Sequence, residues 1–271
     1  MKLSEAIEIL IGAGIEDARY DARMLFEKFG GIKGPGAILF DAESNSDELL
    51  KAIKRRANRE PLQYIIGEVG FYRESYNVNK SCLIPRSDTE MLVDYAVKNL
   101  KTGCRFIDIC TGSGCVAIST LKNTVDTRAV AVDISADAIK LARENAEKNS
   151  VSDRIEFVCA DALTTSVSGE FFAVISNPPY VTEAAYEALE PEIYFEPKIA
   201  FVGGVDGLNF YKRILELYNS KISIDGFFAF EIGFDQADAL NSLASSYGMS
   251  CEIIKDYSDN DRVAVLKKCM P

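Results

Sequence analysis

Apolar residues recur every three to four positions in three segments near the start of the chain. The segments are KLSEAIEILIGAG (2–14), DARYDARMLFEKFGG (17–31) and SNSDELLKAIKRRANRE (44–60). The first two run into glycine and the third into Pro61, and both residue types end helices. This spacing predicts three amphipathic helices. Since no cluster of titratable side chains stands out among them, they indicate a small helical domain.

The pattern changes in residues 63–79, QYIIGEVGFYRESYNVN. Two short runs of β-branched and aromatic residues flank Arg73, Glu74 and Ser75, which predicts two strands joined by a hairpin connector. We therefore divide the chain into a helical domain over residues 1–75, a hairpin or linker region over residues 76–84, and a larger domain over residues 85–271.

From residue 85 onward, short apolar runs alternate with helical segments. The runs are RFIDIC (105–110), AVAVDI (129–134), RIEFVC (154–159), FFAVIS (171–176) and GFFAFEIG (226–233). Apolar runs separated by helices predict strands buried on both faces, and so an α/β fold with a Rossmann-like, mostly parallel sheet. At the end of the chain, CEIIKDY and RVAVLKK flank the polar turn SDND, which predicts a C-terminal antiparallel hairpin.

Composition narrows the possible chemistry. The 271-residue chain has a net charge of −11 and a pI near 4.7, whereas proteins that bind nucleic acid backbones usually present a basic face. The absence of histidine removes the commonest general base and any Ser-His or Cys-His nucleophile. The seven cysteines form no C-x-x-C pair, so we expect free thiols and no metal site. Without an apolar run of about 18 residues, we expect a cytoplasmic protein that does not enter membranes.

A glycine-rich turn follows the first strand of the sheet. In DICTGSGCVA (108–117), Gly112 and Gly114 allow a tight turn and a close backbone approach to a ligand. Asp133 ends the next strand, at the distance along the chain where a carboxylate can accept hydrogen bonds from both ribose hydroxyls of a nucleotide. This combination predicts a cofactor that contains a nucleoside.

Two cofactors fit this turn. A dinucleotide would place its pyrophosphate on the helix N-terminus, and the letters GSGCVA match its GxGxxA pattern. S-adenosylmethionine carries no phosphate, and the negative charge of Asp108 suits its cationic methionine moiety and would repel a pyrophosphate. Asp161, just after the third strand, is placed to meet an adenine amino group. Together with the C-terminal hairpin, these carboxylates favour a methyltransferase sheet and S-adenosylmethionine.

The fourth strand ends in SNPPY (176–180), whose two prolines have no N–H donor. In a parallel sheet this segment faces the same crevice as the glycine turn. The side-chain oxygen of Asn177 and the carbonyl of Pro178 could accept both N–H groups of a planar amino group, and Tyr180 could pack on that group. Positioning of this kind would turn the nitrogen toward a methyl donor without a histidine base. The segment therefore predicts methyl transfer to an amino nitrogen.

Motifs along nearly the whole chain closely resemble those of the HemK/PrmC family of protein-glutamine methyltransferases. They are PLQYIIGEVGFY, LIPRSDTE, DICTGSG, SNPPY, EPKIAFVGGVDGL, EIGFDQ and DRVAVLKK. NPPY is shared with DNA and RNA amino-methyltransferases, whereas LIPRSDTE joined to it is specific. The resemblance implies contacts with the methyl acceptor at Asn177, Pro178, Pro179 and Tyr180. Of these, it implies a catalytic role for Asn177, Pro178 and Tyr180. It implies cofactor contacts at Thr111, Gly112, Ser113, Gly114, Cys115, Asp133, Asp161, Ala162 and Asn177, in addition to the contact expected at Asp108.

Three positions depart from the family pattern. Ser87 stands where the family usually has proline, Cys110 where its turn usually has glycine, and Ala162 where some relatives carry a bulkier residue. The letters from Ser87 to Glu90 predict a capping box that preserves the start of the following helix. We expect the side chain of Cys110 to narrow the turn, and we expect no adenine stacking from Ala162.

The resemblance implies methyl transfer from S-adenosylmethionine to the glutamine of the Gly-Gly-Gln motif in peptide-chain release factors. We expect the helical domain to help recognise this protein substrate, and we expect a monomer without direct nucleic acid contacts. Two alternatives stay open. A DNA or RNA adenine-amino methyltransferase needs the same NPPY geometry, but the acidic chain lacks a basic patch. A non-catalytic binding module could retain the fold, but the glycine turn, Asp133 and Asn177 are intact.

Overall fold

The computed structural model describes residues 1–32, 34 and 41–269. The chain divides into two compact units. The helical unit comprises Met1–Glu68 together with Glu190–Phe195, and the larger unit comprises Val69–Leu189 together with Glu196–Pro271. Across the described ranges, no helix combines the length and the apolar character needed to cross a membrane.

The helical unit contains α1 (Leu3–Gly12), α2 (Ala18–Phe29), α3 (Asp47–Ala57) and the short α4 (Leu62–Ile66). The first three correspond to the helices predicted from the apolar spacing. Their apolar faces form one core, in which Leu10, Leu25, Phe26 and Leu49 have no exposed surface. At the start of α3, the Ser46 hydroxyl accepts a hydrogen bond from the backbone N–H of Leu49 at 3.2 Å, as expected of a helix cap.

The two strands predicted within residues 63–79 are present, but the first begins only at Glu68. Residues 63–66 belong to α4, which follows Pro61 and ends at Gly67, whose φ of 81° lies in the left-handed region. Proline before the first helical residue and glycine after the last one are typical helix boundaries. The apolar side chains of Leu62 and Ile65 are buried in the helical core, so burial rather than strand pairing accounts for the apolar run.

A buried ion-pair network lies in the helical unit. Arg56 contacts Asp21 at 2.6 Å and Glu192 at 3.1 Å, and Arg59 contacts the other oxygen of Glu192 at 2.8 Å. Glu192 belongs to the 3₁₀ helix Pro191–Phe195, far along the chain from the two arginines. These contacts explain why residues 190–195 are grouped with Met1–Glu68.

The larger unit begins with the hairpin formed by β1 (Glu68–Phe71) and β2 (Glu74–Asn77). The sequence-based boundary placed residues 69–75 with the helical domain, and the structure corrects this. Phe71 and Tyr76 are buried in the core of the larger unit, where their rings meet edge to face with centroids 5.9 Å apart. The hairpin therefore derives its burial from the larger unit and belongs to it.

Seven strands of the described ranges form one sheet in the order β5-β4-β3-β6-β7-β9-β8. They are β3 (Arg105–Ile109), β4 (Arg128–Asp133), β5 (Ile155–Cys159), β6 (Phe171–Ser176), β7 (Ile222–Glu231), β8 (Met249–Lys255) and β9 (Asp261–Lys268). In the centre, Ile107 pairs with Val130 on one side and Val174 on the other, both in parallel. Strand β9 is antiparallel to β7 and β8, so both the predicted parallel sheet and its terminal hairpin are confirmed.

Helices cover both faces of this sheet. They are α5 (Glu90–Asn99), α6 (Cys115–Lys122), α7 (Ala136–Lys148), α9 (Asn209–Tyr218) and α10 (Ala237–Ser246), and the short α8 (Glu183–Tyr186) lies between β6 and α9 in the chain. One apolar core includes residues of α5, α6 and α7, and a separate one includes residues of α9 and α10. Because β3 has β4 on one side and β6 on the other, the chain changes its direction of winding there. A crevice is expected outside the carboxyl ends of strands at such a point.

Candidate active site

A cavity of about 380 Å³ lies at the carboxyl ends of the parallel strands, within the larger unit. Its wall includes most of the residues predicted from the sequence: Asp108, Thr111, Gly112, Ser113, Cys115, Asp133, Asp161, Ala162, Asn177 and Pro179. Gly114, Pro178 and Tyr180 are not part of the wall. The glycine turn and the SNPPY segment, which are far apart in sequence, therefore meet at one cavity.

The glycine turn uses left-handed backbone at three alternate positions. The φ angles are 62° at Cys110, 54° at Gly112 and 81° at Gly114. A Cβ atom at Gly114 would lie 2.9 Å from Cδ1 of Ile118 and 3.1 Å from Cβ of Ala142. Gly114 is thus required for the close packing of α6 and α7 rather than for the cavity wall, which explains its absence from that wall.

Asp133 is the last residue of β4, and its carboxylate accepts a hydrogen bond from the backbone of the glycine turn. Its Oδ2 accepts the backbone N–H of Gly112 at 2.8 Å, and its Oδ1 accepts the N–H of Ser135 at 2.9 Å. Burial raises the pKa of this carboxyl, while the backbone donors act in the opposite direction. Because a carboxylate can accept about four hydrogen bonds, Asp133 keeps capacity for a ligand hydroxyl at the cavity.

Asp108 lies beneath the turn, and only 1% of its surface is exposed. It accepts a hydrogen bond from the Thr111 hydroxyl at 2.5 Å. Burial raises its pKa to about 7, although the Thr111 hydrogen bond favours the ionised form. A cationic ligand in the cavity would favour the ionised form further, since an opposite charge nearby lowers the pKa of a carboxyl.

The third predicted carboxylate, Asp161, follows β5. Its Oδ1 accepts the backbone N–H of Leu163 at 2.8 Å, so the carboxylate shapes its own turn. Arg213 of α9 donates from Nε to the carbonyl of Leu163 at 2.6 Å and holds this turn from outside. Ala162, Leu163 and Ile134 give this end of the cavity an apolar wall beside the Asp161 carboxylate.

The SNPPY segment begins where β6 ends. Ser176 donates its hydroxyl to the carbonyl of Ile109 at 2.5 Å and joins the ends of β6 and β3. Asn177 follows, and its Nδ2 donates to Oγ1 of Thr89 at 3.1 Å, which leaves Oδ1 as the free end of the amide. Pro178 and Pro179 are buried. The amide of Asn177 therefore stands at the cavity on a stiff backbone whose two prolines contribute no N–H donor.

The backbone after the prolines is held by a glycine-rich loop. A Cβ at Gly203 would lie 2.4 Å from the carbonyl oxygen of Pro179, and one at Gly207 would lie 2.2 Å from that of Tyr180. Gln236 donates from Nε2 to the carbonyls of Tyr180 at 3.3 Å and Gly207 at 3.4 Å. The motifs VGGVDG and IGFDQ thus act on the SNPPY segment, and glycine is needed where the two backbones nearly touch.

Tyr180 does not present its hydroxyl to the cavity. Its phenol points to the buried carboxyl of Glu231, with 3.3 Å between the hydroxyl and Oε1. Oε2 of the same carboxyl accepts the Thr89 hydroxyl at 2.5 Å. The packing of Tyr180 on an acceptor group stays a prediction, but its phenol is already committed to a partner inside the protein.

Both units of the chain are similar to known protein families. Residues 87–193 match the family model of the methyltransferase small domain, and residues 2–67 match that of the PrmC N-terminal domain. The release factor glutamine methyltransferase of Thermodesulfovibrio yellowstonii is 40% identical over 222 residues, which cover 80% of this chain and 79% of that protein. The enzyme of the same name from Caulobacter vibrioides is 33% identical over 93% of this chain and 90% of its own. The chain belongs to the release factor glutamine methyltransferase family.

Solved structures support the fold assignment. The ribosomal protein L11 methylase of Lactobacillus delbrueckii subsp. bulgaricus aligns with a TM-score of 0.53 at 17% identity, covering 71% of this chain and 84% of its own. At this identity the likeness concerns the fold alone. The larger unit therefore has the class I methyltransferase fold. The family model and the similar enzymes show that the protein is a methyltransferase.

The departures from the family pattern have structural outcomes. Cys110 has a left-handed φ of 62°, a conformation that favours glycine, and it forms part of the cavity wall. The predicted capping box is wrong, because residues 87–89 form a 3₁₀ helix and α5 begins at Glu90. The Glu90 carboxylate instead accepts the backbone N–H of Tyr72 at 2.7 Å. This contact joins the start of α5 to the hairpin.

One part of the cavity wall, which includes Arg86 and Pro197, was not among the site residues predicted from the sequence. Glu196 is buried; it accepts the N–H of Ile84 at 2.8 Å and pairs with the guanidinium of Arg86. This pair joins two segments that contribute Arg86, Pro85, Pro197 and Ile199 to the cavity. The signal was present in the motifs LIPRSDTE and EPKIA, each of which combines a proline with a charged residue.

Proposed function

We propose that this methyltransferase transfers a methyl group from S-adenosylmethionine to the side-chain amide nitrogen of a glutamine in peptide-chain release factors. The names of its relatives supply the substrate class, and the Gly-Gly-Gln motif is the glutamine site that the HemK/PrmC resemblance implies. The observation that carries the proposal is the amide of Asn177, which stands at the cavity with its nitrogen bonded to Thr89 and its oxygen free.

The residues of the cavity fit S-adenosylmethionine. Asp133 would accept the ribose hydroxyls with its remaining lone pairs. Asp161 would meet the adenine amino group beside the apolar wall of Ala162 and Leu163. The glycine turn with Asp108 beneath it would hold the cationic methionine end. When bound, this cofactor supplies a methyl group that is electrophilic because it is carried on a sulfonium.

The acceptor amide needs to be oriented, because its nitrogen lone pair is delocalised into the carbonyl and is a weak nucleophile. Oδ1 of Asn177 and the carbonyl oxygen of Pro178 would accept its two N–H groups and direct the nitrogen toward the cofactor. In the transfer, nitrogen would gain the methyl group as the methyl–sulfur bond breaks, which leaves a neutral thioether, and it would release one proton to water. The chain contains no histidine, so positioning in a preorganised site carries the reaction.

The helical unit would recognise the body of the release factor. Its sequence carries none of the cofactor motifs, and it has an apolar core of its own. We further propose that the protein is a cytoplasmic monomer that contacts its protein substrate. We propose no direct contact with nucleic acid, in keeping with the net charge of −11.

The test offers methyl-labelled S-adenosylmethionine together with purified release factor, with a release factor whose Gly-Gly-Gln motif is changed to Gly-Gly-Ala, and with DNA and RNA. We expect label on the intact release factor alone. Label on the altered factor would assign the methyl group to another residue. Label on nucleic acid would favour the adenine-amino methyltransferase that shares the NPPY motif.

A further inference from the structure

The amide of Asn177 is useful in only one of its two orientations. Its oxygen must face the cavity to accept an N–H group, whereas its nitrogen there would oppose another donor. In the structure, Nδ2 donates to Oγ1 of Thr89, which leaves the oxygen for the cavity. A threonine hydroxyl can donate as well as accept, so Thr89 alone does not select this orientation.

Glu231 removes the ambiguity. Its Oε2 lies 2.5 Å from Oγ1 of Thr89, and an ionised carboxylate can only accept hydrogen bonds. The hydroxyl proton of Thr89 is therefore committed to Glu231. The oxygen of Thr89 then has only lone pairs to offer Asn177, which must turn its NH₂ group toward it. The direction of the hydrogen-bond chain follows from the carboxylate.

The residues around Glu231 bury its carboxyl group, bond to it and shift its pKa. It is 3% exposed, and its Oε1 accepts the Tyr180 hydroxyl at 3.3 Å. Burial raises its pKa to about 7, the Thr89 hydrogen bond and the positive charge of Arg262 lower it, and the negative charge of Asp88 raises it. Glu231 therefore titrates near neutral pH, and the ionised carboxylate, which can only accept hydrogen bonds, predominates above it.

We propose that Glu231 and Thr89 are positioning residues that fix the side-chain amide of Asn177 with its oxygen toward the methyl acceptor. The inference rests on the proposed function, because it assumes that this oxygen serves in methyl transfer. Glu231 and Thr89 act through Asn177 and are not proposed to touch the reacting atoms. They lie 142 residues apart in sequence, on β7 and immediately before α5.

The kinetic test uses Thr89→Val, which replaces the hydroxyl by a methyl group of similar size. We expect kcat on release factor to fall roughly 10- to 100-fold, since small errors in orientation are costly, while the Kd of S-adenosylmethionine changes less than about twofold. Thr89→Ser restores the hydroxyl and should recover most of kcat. In an Asn177→Ala background, Thr89→Val should cost less than about threefold, because its effect passes through Asn177. Equal losses in both backgrounds would overturn the proposal.

Glu231→Gln tests the carboxylate itself. A glutamine presents either a donor or an acceptor to Thr89, so the hydroxyl proton is no longer committed. We expect kcat to fall about tenfold, again with little change when Asn177 is already alanine. Wild-type kcat in Glu231→Gln would overturn the role assigned to the charge of Glu231.

A second measurement does not depend on any substrate. In ¹⁵N-labelled protein, the side-chain NH₂ signals of Asn177 can be assigned by their loss in Asn177→Ala. We expect their hydrogen exchange to be about fivefold or more faster in Thr89→Val than in wild type, because one hydrogen bond is lost. Unchanged exchange would show that Thr89 does not hold this amide. Failure of wild-type enzyme to methylate release factor would refute the proposed function, whereas the exchange data would still decide the positioning of Asn177.

Discussion

At the scale of single residues, the site depends on polar groups whose two ends have different partners. Asn177 donates to Thr89 with its nitrogen and keeps its oxygen for the cavity. Asp133 and Asp108 each combine burial with hydrogen bonds that favour the ionised form. These three side chains give the most direct tests of the site, because a single substitution removes the polar group of each.

On the proposed function, Asn177→Ala removes the acceptor for the amide that would receive the methyl group. Loss of one preorganised polar partner typically costs about 2.7–4 kcal/mol in the transition state, so we expect single-turnover methylation to slow at least about a hundredfold. Cofactor affinity should change much less, because the interaction belongs to the acceptor. Asn241→Ala, on the exposed side of α10, is the matched control. Near-normal turnover would mean that Asn177 only ends a strand.

Asp133→Ala should weaken binding of S-adenosylmethionine at least about tenfold, since hydrogen bonds to a charged group contribute on the order of 1.5–3 kcal/mol each. The structure adds a second cause, because the carboxylate also holds the N–H groups of Gly112 and Ser135. Calorimetry with Asp133→Ala and Asp133→Asn separates the two, as asparagine keeps one acceptor oxygen. Unchanged affinity in Asp133→Ala would remove this residue from the cofactor site.

Asp108→Asn should change how stability depends on pH. Burial raises the Asp108 pKa from its ordinary 3.8 to about 7, so the folded protein retains a proton that the unfolded chain releases. The stability that this group contributes is present at low pH and is lost as pH rises from about 4 to about 7. Asparagine has no charge to bury. We therefore expect the unfolding free energy of Asp108→Asn, relative to wild type, to rise by on the order of 2 kcal/mol between pH 5 and pH 8. Urea unfolding at both pH values measures it, and a constant difference would contradict it.

At the scale of elements, the strand ends are positioned by loops that pack against them with almost no space between the backbones. The SNPPY segment is enclosed by the loop around Gly203 and Gly207 and by Gln236 at the start of α10. Val181 and Gly203 add backbone hydrogen bonds, with the Gly203 N–H 2.9 Å from the Val181 carbonyl. The orientation of Asn177 thus depends on elements that contribute nothing to the chemistry.

Gly207→Ala should destabilise the protein by about 2 kcal/mol or more and lower turnover. The added Cβ would lie 2.2 Å from the carbonyl oxygen of Tyr180, at a φ of 70° where side chains are strained. Gly12→Ala is the matched control, because a Cβ at that helical position meets nothing within 4 Å, and we expect its unfolding free energy to stay within about 1 kcal/mol of wild type. Thermal or urea unfolding compares the two. Equal stability of both variants would show that the close approach is not required.

At the scale of the whole molecule, the chain combines a unit that holds the cavity with a helical unit. The structure places the division at Glu68, and it groups residues 190–195 with the helical unit through Arg56, Arg59 and Glu192. A fragment that begins after Glu68 still contains residues 190–195. Its Glu192 would therefore lose its partners Arg56 and Arg59.

We expect a fragment that begins at Val69, with Glu192→Gln to remove the unpaired charge, to bind S-adenosylmethionine with wild-type affinity. It should methylate a short Gly-Gly-Gln peptide at the full-length rate and an intact release factor at least about tenfold more slowly, because the helical unit would supply contacts to the rest of that protein. Calorimetry and initial rates on both substrates give the comparison. Equal rates on the intact factor would contradict a recognition role for the helical unit.

Most elements of the fold follow from local pattern. Three helices, the parallel strands and the terminal hairpin were evident from spacing, because burial on one or both faces leaves a periodic signal in the chain. The positions of the glycine turn and Asp133 were also evident from the sequence, because the turn follows one predicted strand and Asp133 ends the next. The sequence did not fix where the first hairpin strand begins, because so short an apolar run as residues 63–66 fits either a strand or a helix, and these residues form a helix that ends at Gly67.

Tertiary structure alone decided which side chains support Asn177. The hydrogen bond from Asn177 to Thr89 joins residues 88 positions apart, and that from Thr89 to Glu231 joins residues 142 apart. The contact between Ile84 and Glu196 spans 112 positions. Such pairs leave no periodic signal, since they depend on the register of β6 against β7 and on the loops between them. The sequence by itself determined the strands, the glycine turn and the amide at the cavity. Only the packed sheet determined which end of that amide is free.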